Sequence, residues 1–224
     1  MTKNGASSDA YGEGHAIDIV KANDFVNKLA KDEDDLQVSI RKYCRQMGLP
    51  NINPEEGRAL GMLIQVSGAK RALEIGMCSG YSAIWLARAL PPDGVLECIE
   101  MDRGHVQLAQ ENFRKANVDK KVKVHHGKAL DVLPTLPEKA FDFIFIDALK
   151  TEYSDYLREA LRLSHKGTLI CADNMFWQGK VFADDVDDDT EAIKYFQKQI
   201  FSNQRLKSNI LPLSDGVSWS IVRS

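Results

Sequence analysis

The chain has 224 residues, 44% of them apolar and 27% charged, with a formal net charge of −3. That length fits one large domain whose core needs no staple. The weak negative balance lacks the basic stripe of a nucleic-acid binder, and no apolar run approaches the roughly 20 residues of a membrane span.

Met1 to Gly14 is rich in Gly, Ser and Asp and has no apolar signal region, so residues 1–14 read as a disordered tail before one domain over 15–224. Helical periodicity follows over Ile17–Ala30 and Asp34–Met47, and Gly48-Leu49-Pro50 breaks it. Asn53 reads as an N-cap, with Pro54 at the first helical position and Glu56 at the capping-box spacing. That helix runs to about Val66 and closes the N-terminal helical part, 15–66.

From Lys70 the chain alternates strand and helix. The expected strands are Arg71–Ile75, Val95–Glu100, Val122–His125, Phe141–Ile146 and Thr168–Ala172. Helices are expected over Ser82–Leu90, Gly104–Ala116, Ala129–Leu133, Tyr153–Leu163 and Glu191–Ile200. This order calls for a parallel sheet with helices on both faces over 70–224. Two last strands, Lys207–Leu213 and Val217–Arg223, flank the turn Ser214-Asp215-Gly216. They make seven strands and close the mostly parallel sheet with an antiparallel hairpin.

Three features of this pattern carry chemistry. Two near-continuous apolar strands, suited to a sheet buried on both faces, end in acid at Asp147 and at Asp173-Asn174. As neighbours about 4.8 Å apart, they would bring three hard oxygen donors together beside Lys150. Such donors suit Mg²⁺, Mn²⁺ or Ca²⁺ rather than zinc. The first strand leads into Gly76-Met77-Cys78-Ser79-Gly80, at a position where α/β sheets bind ligands. Its G-x-x-x-G spacing lacks one glycine of the dinucleotide fingerprint, which disfavours NAD or FAD. Finally, Glu100 ends the second strand, where an acid can accept from a ribose diol. Loop and acid together suit S-adenosylmethionine (SAM).

The four cysteines and five histidines show no zinc spacing and read as ordinary cytosolic residues. Ala183 to Asp189 holds five acids in seven positions. It reads as a solvated loop near the cleft mouth that disfavours heavily anionic acceptors such as coenzyme A thioesters.

Together these residues resemble the small metal-dependent O-methyltransferases, the group of catechol and caffeoyl-coenzyme A O-methyltransferases and their bacterial relatives. The carriers include Asn53-Pro54-Glu55-Glu56-Gly57, Glu74-Ile75-Gly76 through Gly80-Tyr81-Ser82, Gly127-Lys128-Ala129, Asp147-Ala148-Leu149-Lys150, Asp173-Asn174 through Trp177-Gln178-Gly179, and Asp215-Gly216.

The resemblance implies a Rossmann-like class I methyltransferase fold. It implies cofactor contacts from Ile52, Glu74, Gly76, Met77, Ser82, Glu100, Ala129 and Asp147. Asp147, Asp173 and Asn174 become metal ligands, Lys150 the general base, and Trp177 and Gln178 the residues that touch the acceptor. That acceptor is a small phenolic molecule with vicinal hydroxyls, and the enzyme is a cytoplasmic homodimer. Three positions depart from the family pattern: Leu149 stands where many relatives have a second acid, Glu152 where they often have Asn, and Gln178 where many have Asn. Two other readings stay open, a Rossmann-type oxidoreductase and a non-catalytic module of the same fold.

Overall fold

A computed structural model describes residues 18–184 and 186–224. The tail expected over 1–14 lies outside them, as does Asp185 of the acidic run.

Helices α1 (Ile19–Ala30), α2 (Asp35–Met47) and α3 (Pro54–Ser67) come first. Asp18 caps α1 through the amides of Val20 and Lys21. Asp34 and Gln37 form a full capping box on α2, and Gly48 ends it in the left-handed conformation. The start of α3 differs from expectation. Asn53 occupies the N-cap position, but its side chain makes no capping bond, and Glu56 turns inward instead of back to the cap.

The remainder alternates as β1 (Arg71–Ile75), α4 (Tyr81–Ala89), β2 (Val95–Glu100), α5 (Arg103–Lys115), β3 (Val122–His126), α6 (Ala129–Val132), β4 (Phe141–Ile146), α7 (Tyr153–Leu163), β5 (Ser164–Ala172), α8 (Asp188–Ser202), β6 (Leu206–Leu211) and β7 (Val217–Val222). The seven strands run in the order β3-β2-β1-β4-β5-β7-β6. The first five are parallel, and β7 is antiparallel to both β5 and β6.

Strand β4 shows why the sheet is buried on both faces. Phe143 and Phe145 point into one apolar layer with Ile64 of α3 and Ile84 of α4. Ile144 and Ile146 point into the other, with Leu157 of α7 and Phe196 of α8. The alternation is the two-residue period of a strand. Among the described residues, no helix is long and apolar enough to cross a membrane.

Two boundaries shift for physical reasons. β5 starts at Ser164 rather than Thr168, because Ser164 pairs with Phe141 and Leu169 with Phe143. The residues between them bulge, with Gly167 at φ 95°. α8 starts at Asp188 rather than Glu191. Asp187 caps it by accepting from the Thr190 amide at 2.9 Å, and Asp188 and Asp189 sit in its first turn, where the helix dipole favours acids. Half of the expected acidic loop is therefore a helix N-terminus.

Candidate active site

Strand order reverses between β1 and β4, the switch point where ligands bind in open α/β sheets. The glycine loop leaves β1 on one side of it, and Asp147 follows β4 on the other. Gly76 is required there. Its φ is +87°, and a Cβ would lie 2.2 Å from the carbonyl oxygen of Asp147. Gly80 starts α4 with φ +79°, and a Cβ there would press on the Phe113 ring at 2.6 Å.

Ile146 of β4 is in register with Ala172 of β5. The next residue of each strand is an aspartate, so Asp147 and Asp173 stand side by side at the sheet edge. A cavity of about 820 Å³ opens at this edge, within the range of small-molecule sites. Its walls include Ile52, Gly76, Met77, Ser82, Glu100, Ala129, Asp147, Lys150, Asp173, Asn174, Trp177 and Gln178. Leu149, Glu152 and Asp189 line it too. The cleft departures at Leu149, Glu152 and Gln178 thus all face the same space.

Glu74 is the one expected site residue that does not reach the wall. It is fully buried, accepting from the Ser82 hydroxyl and from Cys98 Sγ at 3.3 Å. Ser82 therefore stands between Glu74 and the cavity. Burial pushes the Glu74 carboxyl up to about 8. The folded state thus holds its proton more tightly than the unfolded one, so stability falls as pH rises from about 4.5 to about 8. Glu74→Gln removes this loss. Melting curves across that window should show the variant gaining on the wild type as pH rises; parallel curves would contradict the assignment.

Glu100 lies at the end of β2. Its Oε2 accepts the Cys78 amide at 3.0 Å and its Oε1 the Asp102 amide at 2.9 Å. These bonds fix the carboxylate, and each oxygen keeps a further lone pair for a ligand.

Lys150 is 8% exposed. Its Nζ donates to Asp147 Oδ1 at 2.9 Å and to the Tyr153 hydroxyl at 2.8 Å. It also lies 4.8 Å from the Tyr153 ring centroid and 5.6 Å from that of Trp177. A short 3-10 turn over Lys150–Glu152 brings Lys150 and Tyr153 to the same side. The Tyr153 hydroxyl in turn reaches the Asp173 carbonyl at 3.3 Å. Burial holds that hydroxyl well above the usual tyrosine range, so it stays protonated and can only orient the amine.

The segment after β5 is strained. Asn174, Trp177 and Gln178 all have positive φ, at 63°, 45° and 55°, a conformation costing about 1–3 kcal/mol for each such residue. Asp215, in the β6–β7 turn, holds the segment in place. Its Oδ2 accepts from Asn174 Nδ2 at 3.2 Å, its Oδ1 from the Gln178 amide at 2.7 Å, and its carbonyl from the Phe176 amide at 2.7 Å. With Nδ2 so engaged, Asn174 Oδ1 accepts no hydrogen bond among the described residues and is free for a ligand.

The donor chemistry fits a hard divalent cation. Two carboxylates and one amide oxygen meet at one edge. Asp173 is pushed above the usual carboxylate range by burial and by the charge of Asp147. Among the described residues no group of three or more His, Cys, Asp or Glu is arranged to hold a metal ion; the fit is that of two carboxylates with the amide oxygen of Asn174.

Sequence reasoning missed Tyr153, Asp215 and Glu56. The Asp215-Gly216 turn and the spacing Lys150-x-x-Tyr153 were visible, but their partners are distant in the chain.

Residues 28–223 match the profile of a family described as O-methyltransferase. The chain is 37% identical over 210 residues to a catechol O-methyltransferase from Niastella koreensis, covering 89% of this chain and 95% of that protein. It is 33% identical over 194 residues to a caffeoyl-CoA O-methyltransferase from Populus kitakamiensis, covering 81% and 82%. Among solved structures, the O-methyltransferase TomG from Streptomyces achromogenes, in complex with SAM, superposes with a TM-score of 0.85 at 30% identity, covering 93% of this chain and 100% of that one.

Proposed function

The chain belongs to the O-methyltransferase family, and from that premise we propose that it transfers a methyl group from SAM to one hydroxyl of a catechol-type small molecule, with a divalent cation at Asp147, Asp173 and Asn174. The observation that carries this reading is the shared cavity. The glycine loop and Glu100 form one part of its wall, and the paired aspartates and Lys150 form another. The names of the relatives agree with it: one acts on catechol, one on a caffeoyl thioester, and one binds SAM.

On this reading Gly76, Met77 and Ser82 receive the methionine part of the donor, with Glu74 behind Ser82. Glu100 accepts from the ribose hydroxyls, while Ile52 and Ala129 pack against the donor. The cation, when bound, acidifies and orients the two acceptor hydroxyls. Lys150 takes the proton of the reacting hydroxyl, and Asp147 and Tyr153 hold its amine for that purpose. The oxygen bonds the methyl carbon as the carbon–sulfur bond breaks, and the electron pair stays on sulfur. No protein nucleophile is needed. Trp177 and Gln178 flank the acceptor. Asp147, Asp173 and Asn174 would hold Mg²⁺, and the same oxygen donors would accept Mn²⁺ or Ca²⁺.

Calorimetric titration separates this from the oxidoreductase reading. SAM should bind and NADH should not; the reverse would overturn the proposal. The non-catalytic alternative fails once one methyl transfer is observed.

The proposal includes a cytoplasmic homodimer. Helix α1 buries none of its residues, yet Phe25 is 63% and Leu29 67% exposed, an apolar face suited to a second copy. Light scattering should give twice the 25.1 kDa chain mass. A Phe25→Asp, Leu29→Asp variant should elute as a monomer. A monomeric wild type would contradict the dimer.

A further inference from the structure

Helix α3 places Glu56 at the position where a capping box would turn its carboxylate back to the N-cap. It does not do so. Glu56 is 1% exposed, and its Oε1 has no hydrogen-bond partner among the described residues. Its carboxyl shares a chamber with that of Asp173, and the charges of Asp173, Asp147 and Glu55 all bear on it. Lys150, the nearby cation, donates instead to Asp147 and Tyr153. Behind Asp173 lies a smaller polar chamber of about 330 Å³, which Glu56 lines together with Asp173, Asn174 and Asp215.

A buried carboxylate pressed on another carboxylate is unfavourable unless a cation or a proton lies between them. The helix gives up its capping bond to place it there.

We propose that Glu56 adds negative charge behind the cation site, against Asp173 and outside the ligand set, and so raises the affinity of the Asp147–Asp173–Asn174 set for the ion. This inference rests on the metal-dependent reading above. It also couples the N-terminal helices to the site: α3 contributes a charge to a centre otherwise built from the ends of β4 and β5.

Titration of the apo protein with Mn²⁺, followed by electron paramagnetic resonance of the free ion, tests it without any turnover. Glu56→Gln keeps the shape and removes the charge. Glu56→Asp keeps the charge and withdraws it by one methylene. The Gln variant should bind Mn²⁺ about 10–100-fold more weakly than wild type, with the Asp variant in between and SAM affinity unchanged. Thermal melting of each apo variant checks folding, and the Asp variant carries the test if the Gln variant unfolds. Equal Mn²⁺ affinity in wild type and both variants overturns the role of Glu56 and leaves only a proton shared with Asp173. Failure of wild type itself to bind Mn²⁺ overturns the metal reading, and this inference with it.

Discussion

Lys150→Ala should lower kcat for catechol methylation by about 10²–10⁴-fold, the range that one positioned acid–base group contributes. The dissociation constant for SAM should change little. The split follows from the geometry. Lys150 bonds to Asp147 and Tyr153, whereas the expected donor contacts come mainly from the β1 loop and the end of β2. Removing the amine also leaves the Asp147 carboxylate without its ion pair, so metal affinity in the variant should be measured separately. Lys150→Arg should not restore activity, because a guanidinium cannot give up its proton at neutral pH. Steady-state kinetics at saturating SAM and Mg²⁺ give the answer. An unchanged kcat would remove Lys150 as the base.

The second large effect is on removal of the metal. Exhaustive chelation should abolish turnover, and Mg²⁺ should restore it. Without the ion, Asp147 and Asp173 stand side by side at the ends of adjacent strands, with the amine of Lys150 on Asp147. Asp173→Asn should act the same way, since it removes a ligand charge while keeping the side chain's shape, and added Mg²⁺ should not fully rescue it. Its buried position makes a folding control necessary, and the circular dichroism spectrum of the variant provides it. Full turnover after chelation would exclude a role for the cation.

The architecture was legible because its signals are local. Phe141–Ile146 and Thr168–Ala172 read as buried strands from their own residues, and the acid that ends each one could be placed once the strands were taken as neighbours. The register of Ile146 with Ala172 gives that placement. Gly76 was legible as a loop glycine, although the backbone oxygen that forbids a Cβ there belongs to Asp147, on a different strand.

What escaped the sequence depends on contacts between distant segments. Glu56 has the spacing of a capping residue, and only the approach of α3 to β5 turns it toward Asp173. Asp215 has the composition of a turn, and only the return of β7 beside β5 brings it to Asn174 and Gln178. Glu74 was expected at the donor, and the contact of its carboxyl with the Ser82 hydroxyl depends on how α4 packs beside β1. The acidic run was read by composition alone, which cannot distinguish a solvated loop from a first helical turn capped by Asp187. Asp189 nevertheless lines the cavity, consistent with a run placed at its mouth.

The central claim is that Asp147, Asp173 and Asn174 hold a cation that presents a vicinal diol to the donor beside Lys150. Mass spectrometry of products from catechol and from phenol, each incubated with enzyme, SAM and Mg²⁺, tests it most directly. Catechol should gain one methyl group and phenol none, and chelation should stop the catechol reaction. Equal methylation of phenol and catechol, or methylation of catechol without a divalent ion, would contradict the account.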